Sequence, residues 1–148
     1  MEISSDMGKS LFDLAVHAAW ADRRLAAEEL SAARAAARVF HPAGEEGARG
    51  RLLLGPELSL PRIARSMSGR ESALGFALAL WVVLADGVEK PCETALLDRF
   101  RLVAGLPRDI ANSLRRAVRR ARSSAGPHQM DAQLMTLLQE VRQAVGTA

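Results

Sequence analysis

Residues 72–85 contain no charged side chain and place Leu74, Phe76, Leu78, Leu80, Trp81, Val82, Val83 and Leu84 in quick succession. Wound as a helix, that segment is apolar nearly all round, so it must lie at the centre of other elements rather than on a surface. At 14 residues it falls short of the roughly 20 that span a bilayer. Its neighbours must supply the shell. Alanine contributes 27 of the 148 residues, arginine contributes 18, tyrosine is absent and aromatics are 4%. Alanine and arginine are strong helix formers, whereas strands favour β-branched and aromatic residues. These counts disfavour a β-sandwich or barrel and predict an all-α single domain spanning residues 1–148.

Hydrophobic spacing predicts six to seven helices. Leu11, Phe12, Ala15, Val16, Ala19 and Trp20 recur at intervals of three and four, placing a first helix over 6–22. An alanine-rich helix follows over 26–40, ended by His41, Pro42 and Gly44. Residues 41–60 hold four glycines and two prolines around Leu52, Leu53 and Leu54; a loop this long is uncommon in a compact domain, so either a short helix hides there or the segment is mobile. Further helices are expected over 61–67, 71–86 and 91–105, with C-terminal helices over 107–122 and 129–145. Proline at Pro91 and Pro107 and glycine at Gly87 and Gly105 mark the boundaries.

Net charge is +3, but it is unevenly placed. Residues 99–122 sum to +7, residues 1–98 to −3 and residues 123–148 to −1. Arg115, Arg116, Arg119, Arg120 and Arg122 fall on one side of the 107–122 helix. That face reads either as solvated surface or as a docking site for an acidic protein, nucleic acid or anionic lipid at a membrane periphery. Against nucleic acid, no aromatic residue follows Phe100 to stack bases, and no base-reading helix-turn-helix pattern is present. The N-terminus lacks a basic segment leading into an apolar run and cleavage site, and the lone Cys92 forms no internal disulfide. The expectation is a cytoplasmic protein without a transmembrane segment. His17, His41 and His128 have no second ligand at metal-site spacing, and Cys92 reads as a buried or unreactive thiol. Trp20 and Trp81 read as core anchors. No triad, nucleophile elbow, phosphate loop or dinucleotide fingerprint occurs, so the chain is read as non-catalytic.

Two segments 64 residues apart match. Phe12 pairs with Phe76, Leu14 with Leu78, Ala15 with Ala79, Ala21 with Ala85, Asp22 with Asp86 and Glu29 with Glu93. Each copy is an apolar helix running into Ala-Asp, then a turn, then a Glu seven residues after the Asp. The halves cover about 8–40 and 71–105. If they pack about a local two-fold, the four carboxylates converge and need a cation. Mg²⁺ or Ca²⁺, hard ions that prefer oxygen, fit best. A plainer reading stays open: Glu93 falls at the third position of a helix opened by Pro91, where a Glu supports the helix start, and Asp86-Gly87 is an ordinary turn pair.

The paired pattern, with Ala85-Asp86-Gly87 and Glu93 in the second copy, resembles the tellurite-resistance TerB-like domain over about residues 10–110. The resemblance implies an all-helical fold of two related halves. It also implies a divalent-metal site at Asp22, Glu29, Asp86 and Glu93, and a role in bacterial stress response or metal resistance through protein partners. The alternative is an interaction module that binds an acidic partner or nucleic acid through residues 115–122. The chain departs from the family where Arg23 and Arg24 stand in place of a glycine, and where Lys90-Pro91-Cys92 precedes the second Glu.

Overall fold

A computed structural model describes residues 3–23, 26–123 and 129–145 and is all-helical over them. The helices are α1 (Ser5–Ala19), α2 (Ala27–Phe40), α3 (Gly44–Leu54), α4 (Leu60–Arg65), α5 (Gly69–Val83), α6 (Pro91–Ala104), α7 (Arg108–Ser123) and α8 (Met130–Val145). A single 3-10 turn, Leu84–Asp86, extends α5. His128 lies outside the described residues.

The central position expected of 72–85 is what α5 occupies. Helices α1, α2, α6, α7 and α8 all pack on it, and every residue from Ser72 to Val83 is buried. Its start is fixed by reciprocal capping: the Glu71 backbone N–H donates to Ser68 Oγ at 3.3 Å, and Glu71 Oε1 accepts from the Ser68 N–H at 2.7 Å. Helix α7 buries Ala111, Leu114, Ala117, Val118 and Ala121, a stripe at helical spacing that leaves its arginines outside or at the edge. Helices α1 and α2 approach so closely at Gly8 that a Cβ there would stand 2.1 Å from the Phe40 carbonyl oxygen. Only glycine permits that crossing.

The segment 41–60 is more ordered than its glycines suggest. Eleven of its residues form α3, so the described residues hold eight helices rather than six or seven. Gly44, Gly47 and Gly50 dilute the helix signal, and tertiary contacts replace it: Trp20 Nε1 donates to the Leu52 carbonyl at 3.0 Å, while Ala48 and Leu52 are buried against α2. The connection to α4 is held by two polar groups of α1. Buried Asp13 accepts the backbone N–H groups of Glu57 and Leu58 at 2.8 and 2.7 Å, and His17 Nε2 lies 2.7 Å from the Leu58 carbonyl. His41 sits edge-on to Phe12, and its Nδ1 accepts from the Ala43 N–H at 3.1 Å. Both histidines thus serve the packing of the fold.

Three further expectations need correcting. Helix α1 stops at Ala19, so Asp22 stands in the following turn rather than in the last turn of a helix. Of the two readings of Cys92, the buried one fails: the thiol is exposed in the first turn of α6. Trp20 is half-buried and works through its indole N–H as much as through its packing. Among the described residues no helix is long and apolar enough to cross a membrane.

Candidate functional site

Each of the four acidic residues singled out by spacing takes an equivalent place along the chain. Asp22 lies three residues beyond the end of α1, and Asp86 lies three residues beyond the end of α5. Glu29 is the third residue of α2, and Glu93 is the third residue of α6. The Leu84–Asp86 turn packs against α2, which brings Asp86 to the same side as Glu29.

The turns match in backbone as well. Gly87 closes the second with φ 84°, and Arg23, its counterpart 64 residues earlier, takes φ 62°. That left-handed conformation costs a residue with a Cβ about 1 kcal/mol, which glycine avoids. Arg23→Gly is therefore expected to stabilise the protein by about 0.5–1 kcal/mol, and Gly87→Ala to destabilise it by a similar amount. Thermal melts of the two variants check this, and a destabilised Arg23→Gly would mean the arginine side chain contributes more than its backbone costs.

The Lys90 ammonium bridges two of the acids. Lys90 Nζ lies 2.7 Å from Asp22 Oδ2 and 3.7 Å from Asp86 Oδ2. Asp86 Oδ1 accepts from the Val88 N–H at 3.0 Å, fixing the turn. Glu93 Oε1 accepts from the Lys90 backbone N–H at 2.7 Å, so the helix-start role expected of Glu93 is real. What remains is unmatched. Glu93 Oε2 and both carboxylate oxygens of Glu29 are buried with no hydrogen-bond partner, and both residues are 0% exposed. Buried carboxylate oxygens left unpaired are costly and uncommon.

The electrostatics follow from that geometry. Burial, followed by the charges of Glu93, Asp22 and Asp86, pushes the Glu29 carboxyl up to about 8, with Lys90 opposing. Burial also raises Glu93, against the Lys90 backbone hydrogen bond and the Lys90 charge, with Asp86 and Asp22 adding to the rise. The Asp22 carboxylate above all, then the charges of Asp22, Asp86 and Glu93, holds Lys90 above its usual range against the effect of burial. Glu29 and Glu93 therefore each feel the charges of Asp22, Asp86 and Lys90.

A hard divalent cation suits these donors: they are all oxygen, they carry excess negative charge, and three of them are buried and unsatisfied. Among the described residues no three His, Cys, Asp or Glu side chains already stand in ion-binding geometry. Asp22 Oδ2 is instead held by Lys90.

The arginines of α7 point to several different neighbours. Arg115 pairs with Glu89 at 2.8 Å and lies over the Phe76 ring; Arg116 donates to Ser113 at 3.2 Å; Arg120 pairs with Glu140 at 2.8 Å; Arg119 is exposed. Burial raises Glu89, but hydrogen bonds from Thr94 and Arg115 hold it below the usual carboxylate range. Arg122 turns inward, its guanidinium 5.2 Å from the Trp81 ring centre and bonded to the Trp81 carbonyl. Burial lowers it to about 10, with the charge of Asp86 opposing. Arg122 thus leaves the solvated face and becomes part of the α5–α7–α8 contact, a role its spacing alone does not disclose.

No family model matches this chain, and no curated protein or solved structure shows significant similarity to it.

Proposed function

We propose that this chain is a TerB-like, non-catalytic domain of two related helical halves that binds one divalent cation, Mg²⁺ or Ca²⁺, through Asp22, Glu29, Asp86 and Glu93. The observation that carries this reading is the set of three buried, unpartnered carboxylate oxygens on Glu29 and Glu93, beside Asp22 and Asp86, which share the Lys90 ammonium. The equivalent places of the two Asp-to-Glu units support the two-halves origin, and the motif resemblance supports the family. On this reading the domain works in a cytoplasmic bacterial stress or metal-resistance setting by presenting a cation-dependent surface to protein partners. Leu53 and Leu54, 69% and 78% exposed on α3, are apolar side chains such a partner could cover.

Calorimetric titration with Mg²⁺, Ca²⁺, Mn²⁺ and Zn²⁺ near neutral pH tests the cation. One ion per chain is expected, with Mg²⁺, Ca²⁺ or Mn²⁺ preferred over Zn²⁺. At about 100 times Kd the folded state gains about 2.7 kcal/mol, visible as a higher Tm. Asp86→Ala should abolish both the heat and the Tm shift. If no ion changes the Tm and Asp86→Ala behaves as the unaltered protein does, the reading fails.

A further inference from the structure

Lys90 is the N-cap residue of α6, a position at which its side chain makes no capping hydrogen bond. The side chain reaches instead from the second half of the chain to Asp22 in the first, 68 residues away, with Asp86 close to the same nitrogen. Its surroundings are asymmetric. The Asp22 and Asp86 side chains are 11% and 20% exposed, whereas that of Lys90 is 37% exposed and has open solvent on one side. The ammonium that pairs with Asp22 and Asp86 is therefore more exposed than either acid and freer to move away.

An oxygen-bound Mg²⁺ or Ca²⁺ needs ligands at roughly 2.0–2.6 Å. Asp22 Oδ2 is a poorer ligand for such an ion while it holds an ammonium at 2.7 Å, because two cations sharing one oxygen stand a few ångströms apart and repel in a partly buried site. We propose that Lys90 is a tethered counter-ion that occupies the Asp22–Asp86 side of the cluster until a divalent cation displaces its ammonium group into solvent. Lys90 then sets both the affinity of the site and the state of the free protein. This inference rests on the cation-binding reading above.

The chain contains two lysines, Lys9 and Lys90, which makes the test direct. Protein labelled with ¹³C-lysine gives two ε-methylene signals, and exposed Lys9 on α1 serves as the internal reference. Titration of the unaltered protein with Mg²⁺ or Ca²⁺ should move the Lys90 signal towards the position of a solvated lysine and leave Lys9 in place. In parallel, Lys90→Met should bind the ion about tenfold or more tightly, since the Lys90 ammonium no longer competes. Should Lys90→Met fail to fold, the lysine signals of the unaltered protein decide alone. An ion that binds with a stationary Lys90 signal, or with equal affinity to both proteins, overturns the displacement and leaves the cation site standing. No ion binding to either protein overturns the cation site itself and the displacement with it.

Discussion

Replacing Trp81 with alanine is expected to destabilise the protein by about 3–5 kcal/mol, the range for removing a large buried aromatic. Trp81 is fully buried in α5, the helix on which five others pack. Its loss opens a cavity at the centre and removes more than volume. The indole Nε1–H donates to Gln133 Oε1 at 3.3 Å, tying α5 to α8. The ring also carries the Arg122 guanidinium of α7 at 5.2 Å, a cation–π contact in a poorly hydrated place. A typical domain has only about 5–15 kcal/mol of total stability, so Trp81→Ala should be largely unfolded at 37 °C or melt far lower. Trp81→Phe should lose less, because it keeps most of the packing and forgoes the hydrogen bond. Chemical denaturation monitored by helical circular dichroism measures both, and equal costs for the two variants would show that volume matters less than the hydrogen bond.

Glu29→Gln is expected to act in the opposite direction, and only above mildly acidic pH. In the folded protein Glu29 keeps its proton up to about pH 8, whereas a carboxyl in an ordinary environment releases it near 4.5. Between those values the folded state holds more protons than the unfolded state, so stability must fall as pH rises, and the loss is complete above about 8. Glu93, raised for the same first reason, adds to the slope. A glutamine carries no charge at either end of this window. The variant should therefore match the unaltered protein near pH 5 and exceed it near pH 8 by on the order of 2 kcal/mol, allowing for water screening within the cluster. A saturating divalent cation should restore the unaltered protein at pH 8 and leave Glu29→Gln much less changed. Denaturation curves across this pH range check the prediction, and a flat profile for the unaltered protein would contradict the crowding of charge around Glu29.

The legible parts of this structure are those set by local pattern. The all-round apolar character of 72–85 defines the central helix, prolines and glycines define most helix ends, and the 64-residue repeat picks out the four acids that share one cluster. What the pattern hides depends on distant partners. Helix α3 shows in the sequence only as one alternative for 41–60, because its three glycines lower propensity while Trp20, far away in sequence, supplies the bond that holds it. The role of Asp13 leaves no local signal, since the backbone groups it binds are 44 and 45 residues further on. Arg122 looks like one more solvated arginine until α5 is packed beside it. Lys90 is visible in the sequence as a departure from the resembled family, but only the fold shows that its ammonium stands on Asp22.

The central claim is that Asp22, Glu29, Asp86 and Glu93 form one cation site. Crystals grown with Mn²⁺, and measured for its anomalous scattering, test it most directly. The account predicts one strong anomalous peak between the two Ala-Asp turns, within ligand distance of carboxylate oxygens from both halves and with Lys90 turned outward. A map without a peak there, with Lys90 still on Asp22 at saturating Mn²⁺, would contradict it.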